Sequence, residues 1–292
     1  MKELEVKSFA KINLSLDILG FLEDGYHETE TIMQAVSLYD KINLKYEEGS
    51  TFSIKLNTNK RFLPRDERNL AYKAAKLMAE RYSINGGLDI YIEKNIPVAA
   101  GLAGGSSNAA SVIIGINKLL GLGLELDELL NLGKEIGTDV PFLIYTSIKK
   151  EQVCLGVHRG EELKGINSKF FSHLVLAKPR FGVSTKEVYK GMDRLKDYVH
   201  PKNEALIEAL EKGDSDKAYI NMINVLENYT LNEYKEVKDI KEKMLKFAGA
   251  SFSLMSGSGP TVVGFFETEE QAKNATMILR GQDLEAYFCK TK

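Results

Sequence analysis

Near the start of the chain, Ile12, Leu14, Leu16 and Ile18 interleave with Lys11, Asn13, Ser15 and Asp17. A period of two separates an apolar from a polar face, so it predicts a half-buried strand with Lys11 and Asn13 side by side on the polar face. "ETIMQAVSL", "KINLKYE" and "TFSIKL" predict further strands, and "GFLEDGYHE" interrupts the pattern with Asp24-Gly25 as its turn signal. The period then lengthens. Leu70, Ala74, Leu77 and Met78 recur at helical spacing within 69–82, predicting an amphipathic helix, and "LDIYIEK" returns to alternation.

Residues 106–120 contain no proline and are rich in Ala, Ile and Leu, which predicts a mostly buried helix. "LDELLNLGKEIG" predicts another, with Asp127 near its start and Gly137 just past its end. From about residue 172 the texture turns helical, with stretches at 203–210 and 232–247. The chain closes with "SFSLMSGSGPTVVGFFE", the helical "TEEQAKNATMILRG" and a last strand "LEAYFCK". That order of strand, turn, strand, helix and strand predicts a small α+β domain. A boundary in the 155–172 region, taken at 160, gives expected domains of 1–160 and 161–292.

Composition narrows the classes. A chain of 292 residues, 43% hydrophobic and 27% charged, suits one large or two medium globular domains. With 39 basic and 41 acidic residues, net −2, nothing suggests a nucleic-acid partner. No apolar run reaches the roughly 18 residues of a membrane span. "MKELEVKSFAKINL" lacks the apolar stretch of a signal peptide, so a cytoplasmic protein is expected. Cys154 and Cys289 are expected to be ordinary reduced thiols, and His27, His158, His173 and His200 have no metal-ligand spacing.

The stretch "NIPVAAGLAGGSSNAASVI" is the first to suggest chemistry. It places Gly101, Gly104 and Gly105 ahead of a helix, whose first N–H groups lack internal partners and carry partial positive charge. Such a loop can cradle phosphates, although it could also be a plain strand-to-helix connection. No lysine follows the glycine pair, which excludes the G-x-x-x-x-G-K-[ST] loop, and the glycine spacing does not fit G-x-G-x-x-G. "SGSGP", with Gly257, Ser258 and Gly259, reads either as a hairpin turn or as a second backbone segment approaching the same phosphate. In "GTDVPF", Asp139 could cap a turn, or could accept or orient a hydroxyl proton if a cation keeps it ionised; Lys11 is the candidate cation.

"AKINLSLDIL", "PVAAGLAGGSSNAA" and "SGSGPTVVGFF", in that order and nearly spanning the chain, resemble the GHMP kinase superfamily. "DGYH", "GTDVPF" and "KPRFGVSTKEVY" narrow the resemblance to members that phosphorylate a cytidine diphosphate-linked alcohol, on the 2-hydroxyl of its methylerythritol part, in non-mevalonate isoprenoid synthesis. The resemblance implies a two-domain α+β fold, with an N-terminal domain like domain 2 of ribosomal protein S5, a ferredoxin-like C-terminal domain, and the active site in the interdomain cleft. Lys11 and Asp139 would be the catalytic pair, with Asp139 accepting or aligning the hydroxyl proton. Asn13 would contact the substrate, Tyr26 and His27 would hold the cytidine, and Thr185 would lie near it. Tyr189 would stack on the base, a role for which the sequence does not favour it over Phe181.

On the nucleotide side, Pro97 and the backbone of Gly101, Leu102, Ala103, Gly104, Gly105, Ser106 and Ser107 would cradle ATP, joined by Gly257, Ser258 and Gly259. Asn69 and Lys94 would lie near the adenine. Magnesium is implied by the reaction, with Ser106 or Ser107 as possible helpers and no carboxylate marked as a ligand. No protein partner is expected. The family's usual basic residue just before "DGYH" is missing from "GFLEDGYH", and "VCLGVHRGEEL" is a loose version of a family stretch, so Arg159 and Glu161 receive no catalytic role. Homoserine kinase, mevalonate kinase and an inactive sensor on the same fold are the alternative readings.

Overall fold

The computed structural model describes residues 1–292. Contacts divide the chain into two units, and each takes more than one stretch of sequence. Two long paired strands, β1 (Lys2–Phe21) and β2 (His27–Glu47), contribute to both. The stretches expected as two strands, "ETIMQAVSL" and "KINLKYE", are thus one.

The first unit comprises Met1–Ala10, Tyr39–Pro97 and Ala103–Lys150. Within it β3 (Ser53–Thr58) runs parallel to β4 (Gly87–Glu93), which is antiparallel to the second half of β2. Ile42 and Leu44 of β2 lie opposite Ile92 and Ile90 of β4, and all four are buried. The helices are α1 (Leu70–Tyr82), α2 (Gly104–Leu120), α3 (Leu126–Ile136) and α4 (Val140–Ile148). Asn69 starts α1 by accepting the Ala71 N–H at 3.0 Å, and Gly121, at φ +67°, ends α2. Helix α2 packs tightly over β2: a Cβ on Gly115 would lie 2.4 Å from Leu44 Cδ1.

The second unit comprises Lys11–Leu38, Val98–Leu102 and Glu151–Lys292. Here β5 (Val153–Val157) is antiparallel to the first part of β2 and to β6 (Glu162–Ile166). A separate four-stranded antiparallel sheet has the order β10-β7-β9-β8, from β7 (His173–Lys178), β8 (Phe252–Met255), β9 (Val262–Phe266) and β10 (Glu285–Lys290). Its helices are α5 (Thr185–Met192), α6 (Asn203–Lys212), α7 (Ser215–Asn221), α8 (Glu227–Glu233), α9 (Lys235–Lys246) and α10 (Glu269–Arg280). The predicted closing order of strand, turn, strand, helix and strand is β8, β9, α10 and β10. Val175, Val262, Phe266, Met244 and Leu279 share the core of this sheet with Val188 and Leu226.

Two expectations need correction. The stretch 232–247 is two helices, because Tyr234 leaves the helical region at φ −113°, ψ 86°. Its ring packs on Phe181 and its hydroxyl donates to Glu187 at 2.9 Å, tertiary contacts that helical periodicity does not encode. The polar face of β1 is not solvated either: Lys11, Asn13, Ser15 and Asp17 are all buried. Asn13 Nδ2 donates to Thr31 Oγ1 (2.8 Å), Ser15 Oγ to Asn203 Oδ1 (2.6 Å) and His200 Nδ1 to Asp17 Oδ1 (2.7 Å). Alternation reports two chemically different faces, and satisfied polar groups can be buried as well as apolar ones.

Candidate active site

In the second unit, β1 and both glycine segments converge. Lys11 N–H donates to the Leu102 carbonyl at 3.3 Å, and Asn13 N–H to Ser256 Oγ at 3.3 Å. Ser256 Oγ in turn donates to the Gly101 carbonyl at 2.9 Å. Lys11 Nζ donates to Asn13 Oδ1 at 2.8 Å, so ammonium and amide lie together on one strand face. Thr185 Oγ1 sits 2.9 Å from Ser258 Oγ, bringing the start of α5 to the same place. Lys11, Asn13, Gly101, Leu102, Gly257, Ser258 and Thr185, chosen from distant parts of the sequence, are therefore neighbours.

The glycines are required where the segments touch. Gly101 has φ +72°, and a Cβ there would stand 2.2 Å from the Ser256 carbonyl oxygen. Gly101→Ala is expected to destabilise the protein by roughly 1–3 kcal/mol from backbone strain alone. Gly105→Ala, whose Cβ would meet only Leu70 Cδ1 at 3.7 Å, should not lower stability. Equal denaturation midpoints for the two variants would remove the close contact as the reason for Gly101.

The second segment is held by residues that the sequence did not single out. Asn224 Nδ2 donates to the carbonyls of Met255 (2.8 Å) and Gly257 (2.7 Å), while Glu227 Oε1 accepts the Met255 N–H (2.8 Å). Thr230 Oγ1 donates to the Ser258 carbonyl at 3.4 Å, and the Gly259–Pro260 peptide is cis. No local pattern marks Asn224, because its partners lie some thirty positions on in the chain.

In the first unit, α2 begins at Gly104, two residues before its expected start, with Ala103 as N-cap at φ +53°. No side chain caps this terminus, an arrangement in which first-turn N–H groups can serve an anion. The foot of the loop is a buried polar network. Asp40 Oδ1 accepts the N–H groups of Asn95 (2.6 Å) and Ile96 (2.7 Å), and Oδ2 pairs with Lys94 and with Asn108 Nδ2. Asn108 also donates to Ser8 Oγ, which donates to Ser107 Oγ at 2.8 Å, and Ser107 donates to the Phe9 carbonyl at 2.6 Å.

Three sequence-chosen residues thus have internal work. The Lys94 ammonium is buried against Asp40, and its backbone N–H bonds Asn59 Oδ1 at 2.8 Å, which places it at the foot of the loop. Burial pulls Lys94 below the usual lysine range, and the Asp40 carboxylate opposes that pull. Ser107 spends its hydroxyl on Phe9 and its N–H on the Ala103 carbonyl at 2.8 Å, leaving Ser106 as the serine available at this helix start. Asn69 caps α1 and donates to the Pro64 carbonyl at 2.9 Å. Pro97 is buried in the connection that follows Ile96.

Asp139 is the N-cap residue of α4, and its side chain makes no capping hydrogen bond to that helix. No three or more His, Cys, Asp or Glu side chains come together in a way that could hold a metal ion. Cys154 and Cys289 are buried free thiols; burial pushes Cys154 up to about 12 and Cys289 upward as well.

The "DGYH" loop lies in the second unit beside α5. His27 packs between Phe21 and Tyr189, with ring centroids 4.6 and 5.0 Å away, and its Nε2 donates to Asp193 Oδ1 at 2.7 Å. Phe181, the other ring considered in sequence, packs instead on Tyr234. Tyr26 is 62% exposed, with the Arg159 guanidinium over its ring. Residues 21–26 carry no lysine or arginine, so the cation at this loop comes from β5–β6.

A glycine loop ahead of an uncapped helix terminus suits phosphate binding, and the comparisons give the class: an ATP-dependent small-molecule kinase. Residues 69–147 match the family profile "GHMP kinases N terminal domain", and 203–281 match "GHMP kinases C terminal". The chain belongs to the GHMP kinases. A relative from Clostridium novyi (strain NT) named 4-diphosphocytidyl-2-C-methyl-D-erythritol kinase is 45% identical over 286 residues, covering 98% of this chain and 99% of the relative. One of the same name from Shouchella clausii (strain KSM-K16) is 46% identical, covering 97% and 92%. A crystal structure of 4-(cytidine 5'-diphospho)-2C-methyl-D-erythritol kinase superposes with a TM-score of 0.82 at 30% identity, covering 98% of each chain. Homoserine kinase from Cytophaga hutchinsonii, at TM-score 0.73 and 18% identity over 100% of this chain and 95% of that one, shares the fold. No helix is long and apolar enough to cross a membrane.

Proposed function

We propose that this chain transfers the γ-phosphoryl group of ATP to the 2-hydroxyl of 4-diphosphocytidyl-2-C-methyl-D-erythritol, giving the 2-phosphate and ADP for non-mevalonate isoprenoid synthesis. The full-length relatives carry that substrate in their names. The observation that carries the nucleotide end of the reading is the ring group of Phe21, His27 and Tyr189 beside an exposed Tyr26. Stacking a base on an aromatic ring contributes roughly 1–3 kcal/mol and suits a cytidine. Tyr189 is the stacking ring in this reading, because it stands at His27 and Phe181 does not.

Asp139 accepts or aligns the proton of the attacking 2-hydroxyl. Lys11 offsets negative charge on the transferring group. Asn13, bonded to the Lys11 ammonium, contacts the alcohol, with Thr185 near the same substrate. The backbone of 101–107 and the Gly257–Ser258–Gly259 turn hold the phosphates, with Ser106 as the hydroxyl to assist. Magnesium bound to the triphosphate would neutralise developing phosphoryl charge. Residues 1–160 serve as the ATP-binding and catalytic domain and 161–292 as its C-terminal partner; one family match falls in each. The same reading places the enzyme in the cytoplasm and needs no protein partner.

A coupled ADP-release assay with the cytidyl alcohol, homoserine and mevalonate tests the assignment. ADP release with the first alone is expected. Turnover of homoserine or mevalonate, with none of the cytidyl alcohol, overturns it.

A further inference from the structure

The turn joining β5 to β6 reaches the "DGYH" loop and is itself rigidly built. Glu161 uses both carboxylate oxygens on it, pairing with His158 Nδ1 at 2.7 Å and accepting the Arg159 N–H at 2.9 Å. That bonding holds His158 at φ +66°, a left-handed conformation unusual for a residue with a Cβ, and Gly160 at φ +94°. The turn is also tied to the start of β2, since the Thr29 N–H donates to the His158 carbonyl at 2.6 Å. Arg159 therefore projects from an anchored base.

Its guanidinium makes two contacts with one loop. It pairs with Asp24 Oδ2 and lies 4.4 Å from the centroid of the Tyr26 ring. Asp24 meanwhile accepts the Tyr26 N–H with Oδ1 at 3.1 Å, and the loop closes through Leu22 N–H to the Tyr26 carbonyl at 2.7 Å. A five-residue turn with an exposed aromatic tip has few other contacts to hold it, so a planar cation that grips acid and ring together fixes the ring's orientation.

We propose that Arg159 is a positioning residue for nucleotide recognition: by gripping Asp24 and the Tyr26 face it pre-orders the loop that presents Tyr26 and His27 to the base. Glu161 acts one step behind, by holding the turn from which Arg159 projects. This rests on the cytidine-holding role of Tyr26 and His27. Pre-ordering a loop removes an entropy cost from binding and leaves the chemical step alone, so it is a KM effect for one substrate.

The test is steady-state kinetics of the full chain with both substrates varied. Arg159→Met is expected to raise KM for the cytidyl alcohol roughly tenfold or more, with kcat and KM for ATP nearly unchanged. Arg159→Lys, which keeps the charge and loses the planar stack, should fall between. Asp24→Asn keeps the oxygen that accepts from Tyr26 but loses the charge, and should reproduce most of the Arg159→Met effect; the double variant should be little worse than either. If Arg159→Met keeps wild-type KM, or if Asp24→Asn is silent while Arg159→Met is not, the positioning role is wrong. A second readout does not depend on turnover. The chain has no tryptophan, so Tyr26→Trp supplies a lone reporter in the loop. Adding Arg159→Met should lower its steady-state anisotropy, and unchanged anisotropy overturns the proposal. A wild-type protein inactive on the cytidyl alcohol sinks the substrate reading instead, while the anisotropy still judges the loop.

Discussion

Asp139→Asn is expected to lower turnover by roughly two to four powers of ten and to leave ATP affinity nearly intact. The amide matches the carboxylate in size but cannot take a proton from a hydroxyl or hold it as an ionised acceptor. The fold should tolerate the change, because Asn keeps the size of the side chain and one acceptor oxygen, and α4 loses no capping bond. That helix start is shaped by the backbone instead: the Val140 N–H bonds the Gly137 carbonyl at 3.1 Å, and Pro141 occupies the first turn, where a missing N–H costs nothing. Lys11→Met tests the other half of the pair and should also depress turnover. Single-turnover rates with an independent ATP-binding measurement separate the effects. Near-normal turnover of the folded Asp139→Asn protein would exclude this carboxylate from the chemistry.

The second large effect is on stability. Asp40→Ala is expected to destabilise the protein by about 3–5 kcal/mol, the cost of leaving a buried charge without its partner. Both side chains are out of solvent, at 0% exposure for Asp40 and 3% for Lys94, so water cannot take over. Two further N–H groups, of Asn95 and Ile96, lose their acceptor at the foot of the glycine loop. Adding Lys94→Met should restore only part of the loss, since it removes the stranded ammonium but not the stranded amides.

The pH dependence has a definite sign. Burial lowers Lys94 even with Asp40 present, and without Asp40 only the hydrogen bond to Asn108 Oδ1 at 3.2 Å is left to favour the ammonium. The unfolded lysine stays protonated up to about 10.4 while the folded one does not, so folding releases a proton and is favoured as pH rises. The deficit of Asp40→Ala should therefore shrink from neutral pH toward 10. Urea midpoints measured at several pH values check this, and a deficit that grows with pH rules out the stranded-lysine account.

How far the sequence reached depends on what kind of interaction was responsible. Periodicity found β1 and α1, an apolar composition without proline found α2, and start and stop residues found α3, because each of these signals is written locally. Periodicity missed the break at Tyr234, which is made by Phe181 and Glu187 from another part of the chain. The candidate site divides in the same way. Gly101, Gly257 and Gly259 were legible because the backbone there lies at positive φ, which glycine alone adopts without strain. Asp40, Asn108, Asn224 and Arg159 were not, because an isolated Asp, Asn or Arg acquires meaning only from the partner that folding brings to it.

By itself, then, the sequence determined most of the element types, the two glycine segments and the order of motifs that resemble the GHMP kinases. Those are properties of residue type and spacing. Only the tertiary structure decided that Gly101 meets Ser256, that Lys94 and Ser107 are internal supports, and that Tyr189 rather than Phe181 stands at His27. Each of those depends on a distance between residues far apart in the chain, set by close packing and by the need to satisfy every buried polar group, which no local pattern encodes.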